Sequence, residues 1–197
     1  MSRLKDLNTP VFYAEGQPGG VSRENYRLKV SGLPGDALRE FTFARLEGMP
    51  FTTADARLTS VSGWSVRVKW QGVRFTHFLQ ALEPRPEASH VVFESFGGYT
   101  TCVPLSELQQ DNDLLCFRVD GEYLEPEYGG PVRMVIPQLW GYKSIKGLSA
   151  MTFGWYPEPG YWETRGYPDD AQIEPGFTRD VNTGQMRRIR GGEVTEF

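Results

Sequence analysis

The run Trp64-Ser65-Val66-Arg67-Val68-Lys69-Trp70 alternates bulky apolar residues with polar ones without a break. Side chains of an extended chain point alternately to opposite faces, so Trp64, Val66, Val68 and Trp70 share one side and the polar residues take the other. That pattern commits this part of the chain to a half-buried strand, which Gln71-Gly72 is expected to turn into Val73-Arg74-Phe75. The same period recurs at Tyr26, Leu28 and Val30, ended by Gly32-Leu33-Pro34-Gly35. Phe41 and Phe43 suggest a further short strand before a helical turn around residues 44–47.

Strands at 90–94 and 99–105 are joined across Gly97-Gly98, with a helical turn at Ser106-Glu107-Leu108. Leu114–Val119 pairs with Tyr123-Leu124 across Asp120-Gly121, a strong hairpin dipeptide. Residues 148–155 form another strand. One short helix follows Thr76, where Phe78, Leu79 and Leu82 fall at helical spacing before Pro84 and Pro86 stop it. Strands dominate and helices are short, so the expected class is α+β with a mixed sheet.

At 197 residues the chain has room for one domain with a substantial core. That domain is expected over residues 1–168, opening with an irregular lead over 1–24 that contains Gln17-Pro18-Gly19-Gly20. Residues 169–197 turn polar, include Arg187-Arg188-Ile189-Arg190, and are expected to form a loosely packed C-terminal arm or, instead, a wrapping element or a partner contact. A net charge of −4 argues against nucleic acid as a partner, so any anion site has to be local. No apolar run approaches a membrane span, and the first residues lack a signal core and a twin-arginine pair. A cytoplasmic protein is expected, with Cys102 and Cys116 reduced and serving as packing residues. His77 and His90 lie in no ligand motif, and neither Ser60 nor Ser62 has a histidine placed beside it for triad chemistry.

The chemistry concentrates in Gly129-Gly130-Pro131-Val132-Arg133-Met134-Val135-Ile136-Pro137, followed by Gly141-Tyr142-Lys143-Ser144-Ile145-Lys146. A short apolar strand that begins with one cation and runs into a glycine loop bearing two more and a hydroxyl is suited to hold an anion. On residue type alone, Arg133 could instead pair with a glutamate, and the Gly-Tyr-Lys-Ser run could be an exposed turn. Downstream, Gly160-Tyr161-Trp162-Glu163-Thr164-Arg165-Gly166-Tyr167 adds an aromatic lip.

With Trp70-x-Gly72-Val73 and Gly98-Tyr99-Thr100-Thr101, these motifs resemble, in order, the molybdopterin-binding domain of the sulfite oxidase family. The resemblance implies a sulfite-oxidase-type mixed fold and a molybdenum-molybdopterin cofactor. It also implies oxygen-atom transfer to or from a small oxyanion or sulfoxide, with a separate electron-transfer partner. Arg133 would face cofactor and substrate, and Tyr167 would orient substrate at the metal. Lys143, Ser144, Lys146 and Tyr128 would bind the cofactor.

Ser60, in Leu58-Thr59-Ser60-Val61-Ser62-Gly63-Trp64-Ser65, takes the place of the family's metal-ligating cysteine. A hydroxyl is a hard donor of far higher pKa than a thiol. Tyr128 stands where many relatives carry histidine, and Gly147 where tryptophan is common. A second reading therefore stands beside the enzyme: a non-catalytic relative, metal-free or cofactor-free, that binds a pterin, a phosphate-bearing ligand or a protein partner.

Overall fold

The computed structural model describes residues 3–16, 21–82, 84 and 87–191. The turn expected at 17–20 and the second of the helix-stopping prolines, Pro86, lie outside them. Helix α1 (Arg3–Asp6) precedes β1 (Arg27–Ser31), β2 (Arg39–Thr42) and α2 (Phe43–Glu47). The long hairpin β3 (Phe51–Ser60) and β4 (Trp64–Arg74) leads into α3 (Phe75–Leu82). Then come β5 (His90–Ser95), β6 (Thr100–Pro104), β7 (Leu114–Val119), β8 (Glu122–Tyr123), β9 (Arg133–Val135) and β10 (Leu148–Gly154). The last two strands are β11 (Gly176–Asp180) and β12 (Met186–Ile189).

They form two sheets. The first runs β2-β1-β10-β5-β6, mixed because β1 pairs β10 in parallel while its other neighbours are antiparallel. The second is organised on β4. One edge of β4 carries β3 along its whole length, from Phe51↔Val73 to Ser60↔Trp64. Its other edge is shared: β11 pairs in parallel with its first residues and β7 antiparallel with its last. One apolar cluster holds Leu28, Val30, Phe75, Phe93 and Phe117, and a second holds Val66, Val68, Trp70, Leu58 and Tyr128.

The alternation read in residues 64–70 is realised, since Val66, Val68 and Trp70 are buried together with Trp64 packed against them. The turn expected at Gln71-Gly72 is a β-bulge instead, and β4 continues to Arg74. Glycine is needed there because β7 crosses so closely that a Cβ on Gly72 would stand 2.0 Å from the Leu115 carbonyl oxygen. The residue reads as a turn signal but serves a close backbone approach.

Strand β3 escaped the sequence reading, because Thr52, Thr53, Asp55 and Thr59 leave its apolar positions irregular. Consequently Ser60 ends β3 and does not begin the strand of the two tryptophans.

The tail differs too. The loosely packed arm expected after residue 168 contains the β11–β12 hairpin, which extends the second sheet, and Ala171, Ile173 and Ile189 are buried. The polar character that suggested an arm includes the anchor itself. Arg57 on β3 meets Asp180 on β11 at 3.3 Å and donates to Ser65 Oγ at 3.1 Å, with both charged side chains about nine-tenths buried. Removing one partner of a buried pair leaves the other charge uncompensated. Asp180→Ala is therefore expected to lower stability by about 3 kcal/mol and to strip amide hydrogen-exchange protection first from residues 176–189. Protection unchanged there would show that β-pairing alone holds the hairpin.

Candidate functional site

Strand β9 is short because its work is to place one side chain. Arg133 sits opposite Cys116 of β7, the one strand β9 pairs with among the described residues, and is buried there, and the Met134 amide donates to the Ile145 carbonyl at 2.9 Å. That bond draws the 141–146 loop alongside Arg133. The guanidinium donates to the carbonyls of Tyr128 (2.9 Å), Ser144 (3.0 Å) and Met134 (3.3 Å) and lies over the Trp70 ring at 5.4 Å. No carboxylate pairs with it among the described residues. Burial pulls its pKa down to about 10, which still leaves it charged at neutral pH.

Arg133 forms part of the wall of a cleft of about 220 Å³, many times the roughly 10–15 Å³ that one water needs. Tyr128, Ser144, Lys146, Ser60 and Tyr167 line it as well. The Ser144 hydroxyl accepts from the Ile136 amide at 2.9 Å, which leaves its own proton available to a ligand. Lys146 donates to the Phe12 carbonyl at 2.5 Å and lies over the Tyr13 ring at 4.1 Å. Desolvation, then the charge of Arg133, pulls its pKa down to about 7. Ser60 Oγ accepts from the Ser62 amide at 3.2 Å, which holds it at the β3–β4 turn on the cleft rim. Tyr128 lies 3.5 Å from the Thr9 carbonyl through its hydroxyl, and its own carbonyl serves Arg133. The Tyr167 ring packs on Trp162 at 4.9 Å and edge-on to Tyr142 at 5.3 Å.

Lys143 does not join them. Its ammonium donates to Glu163 Oε1 at 2.6 Å and to the Cys102 carbonyl at 2.8 Å, with both side chains 1% exposed. The expectation that it binds the cofactor is corrected on that ground: a carboxylate already neutralises its charge inside the core. Alternation along the loop is the cause, since Tyr142 and Ser144 on either side of it line the cleft.

The lead over 1–24 is also more than an irregular approach. Leu4 is buried, and Thr9, Phe12, Tyr13 and Glu15 line the cleft. The Tyr13 hydroxyl is shared between the carbonyls of Pro126 (2.8 Å) and Glu127 (2.7 Å). The adjacent aromatics Phe12-Tyr13 after Pro10 were the signal available, but nothing local says which surface they meet. Neither Cys102 nor Cys116 lines the cleft, and among the described residues no group of three His, Cys, Asp or Glu is placed to hold a metal. No helix among them is long and apolar enough to cross a membrane.

Residues 15–162 match the family model described as the oxidoreductase molybdopterin binding domain. The chain is 32% identical over 159 residues to the uncharacterized oxidoreductase YuiH of Bacillus subtilis, covering 80% of each. It is 32% identical over 158 residues to the putative protein-methionine-sulfoxide reductase subunit YedZ1 of Azospira oryzae, covering 80% of this chain and 60% of that one. With the protein-methionine-sulfoxide reductase catalytic subunit MsrP of Gluconobacter oxydans it shares 27% over 188 residues, 87% of this chain and 58% of that one. In fold it is similar to the sulfane dehydrogenase SoxCD of Paracoccus pantotrophus, with a TM-score of 0.67 and 20% identity over 88% of this chain. It spans 47% of that chain, about half its length.

Arg133 and Lys146 give one cleft wall a positive charge that varies with pH. Lys146 is charged below about 7 and loses its proton as pH rises through that value. Sulfate, a dianion throughout, is expected to bind more tightly at pH 6 than at pH 8 in calorimetry. Lys146→Met is expected to flatten that dependence and leave the weaker binding due to Arg133. A pH-independent affinity in the unaltered protein would remove Lys146 from the site.

Proposed function

We propose, for a chain that belongs to the oxidoreductase molybdopterin-binding domain family, that the cleft holds a molybdopterin cofactor and presents it to a small oxyanion or sulfoxide for oxygen-atom transfer. The observation that carries this reading is Arg133: a buried guanidinium without a carboxylate partner among the described residues, lining one cleft with Lys146, Trp162 and Tyr167. An isolated buried charge is expensive, and an anionic ligand removes the expense. The donors suit the group. Arg133, Lys146 and the Ser144 hydroxyl match a phosphate, and Trp162, Tyr142 and Tyr167 offer apolar faces to a ring system.

When bound, the cofactor supplies the two-electron oxygen-atom chemistry. The residues supply the rest. Arg133 and Lys146 attract an anionic or polar-oxygen substrate. The Tyr167 hydroxyl makes no hydrogen bond among the described residues and donates to the substrate oxygen, while Trp162 and Tyr142 exclude water. Two relatives named for methionine-sulfoxide reduction favour the sulfoxide over the oxyanion. In this reading electrons pass to or from a separate protein, and the chain acts in the cytoplasm.

Ser60 is the side chain offered to the metal, in place of a thiolate. A hydroxyl is a poor match for a soft, sulfur-ligated centre, so Ser60 would hold the metal less firmly than a thiolate would. The same observation, a cleft lined by neither cysteine, supports the second reading of a non-catalytic pterin- or phosphate-binding relative. Molybdenum and pterin, measured separately in protein from a cofactor-competent host, divide the readings. The natural protein is expected to retain pterin and to carry less molybdenum than Ser60→Cys. Full molybdenum in both would make the serine site competent, and no pterin in either would overturn cofactor binding altogether.

A further inference from the structure

Lys143 and Glu163 stand in the two segments that build the cleft, yet neither lines it. Tyr142, Ser144 and Lys146 line the cleft from the 141–146 loop, and Trp162 and Tyr167 from the 160–168 lip. Between these segments, Lys143 Nζ meets Glu163 Oε1 at 2.6 Å, and Thr101 donates to the same oxygen at 2.7 Å. The pair is buried, and Glu163 Oε2 has no hydrogen-bond partner among the described residues.

A buried ion pair of this kind is by itself weak evidence of a stabilising role. Desolvation consumes its Coulomb gain, and apolar residues of similar volume serve as well or better. An unsatisfied carboxylate oxygen makes that balance worse. What two short charge-assisted bonds do provide is direction.

The rest of the lip lacks it. Its start is pinned to β6, where the Tyr161 amide donates to the Thr100 carbonyl at 3.0 Å and a Cβ on Gly160 would stand 2.3 Å from that oxygen. Its end is tied by the Tyr142 hydroxyl to the Pro168 carbonyl at 2.6 Å, a neutral bond made by a ring that itself packs on Tyr167. Between the two, the ion pair is the charged link from lip to loop. The loop in turn reaches Arg133 through the Ser144 carbonyl, and the Ser60 turn through Gly141 N to the Thr59 carbonyl at 2.8 Å.

We infer that Lys143 and Glu163 are positioning residues: their pair clamps the loop to the lip and fixes where Ser144, Lys146 and Tyr167 stand on the cleft wall. This rests on the anion-binding reading of the cleft. Neither residue touches the ligand, so their removal acts through Lys146 and Arg133. Lys146 is faced by Arg133, the Tyr13 ring and the Phe12 carbonyl, with Glu15, Tyr128 and Tyr167 elsewhere on the wall. Loosening the loop lets water reach Lys146 and raises the pH at which it loses its proton. A residue that merely stabilised the fold would not move that value.

The test uses the full chain with sulfate as the probe. The double variant Lys143→Met/Glu163→Met is expected to keep its melting temperature within about 5 °C. It should bind sulfate about tenfold more weakly, with the pH midpoint of binding raised by about one unit. Affinity and midpoint equal to those of the unaltered protein would overturn the positioning role. Should the double variant not fold, Glu163→Asp keeps both charges and shortens the reach by one carbon. About threefold weaker binding with a raised midpoint is then expected, and unaltered binding overturns the inference. If the unaltered protein itself binds no sulfate, the anion-binding reading falls and this inference with it. Binding that every variant preserves removes the clamp alone.

Discussion

The cleft is organised by the burial of one guanidinium. Among the described residues Arg133 has three carbonyls as partners and no acid, so its positive charge is held by dipoles that soften the desolvation without neutralising it. Each carbonyl belongs to a different part of the site: Tyr128 to the turn before β9, Met134 to β9 itself, and Ser144 to the loop that carries Lys146. The arginine thereby holds the parts of the cleft together and supplies its potential. A second cation 2.5 Å from the Phe12 carbonyl adds to that potential in a protein whose net charge is −4, which shows how little the global balance says about a cleft.

What permits such a burial is the sheet on β4. Trp70 lies under the guanidinium and uses its indole N–H on the Ala56 carbonyl at 3.1 Å, so the ring is fixed by the β3 partner. The bulge at Gly72 lets β7 approach closely, and β7 in turn carries β9 and Arg133. Hence the bulge, the tryptophan and the arginine form one chain of dependence from strand pairing to charge. The tail hairpin completes the same sheet at the other end of β4, beside the turn that presents Ser60.

Legibility in the sequence followed the range of the interaction. The alternating strand at 64–70, the hairpin at Asp120-Gly121 and the helical spacing of Phe78, Leu79 and Leu82 were readable because their causes are local, although the helix starts at Phe75 and takes in the Thr76 expected to precede it. Strand β3 was not, because its edge-to-edge partner supplies what its threonine-rich pattern lacks. Arg133, Ser144 and Lys146 were found through the order of motifs and do meet in one cleft. Lys143 looked equivalent to Lys146, and only the position of Glu163, twenty residues on, separates a core cation from a cleft cation. The lead was similarly opaque, since Phe12 and Tyr13 take their meaning from Trp162 and from carbonyls more than a hundred residues away.

By itself, then, the sequence determined the elements with local causes, the strand-dominated class and the family pattern of a cation-bearing strand, loop and aromatic lip. It also determined that the Leu58–Ser65 run carries hydroxyls and no thiol. Tertiary structure alone decided which cations stay available, because a charge is neutralised or left bare by neighbours distant in the chain. It decided as well that the polar tail is a sheet hairpin, since Asp180 has value only once Arg57 is across from it. Period and turn chemistry act over a few residues. Desolvation and charge pairing act over a few ångströms, and only the folded chain converts one measure of distance into the other.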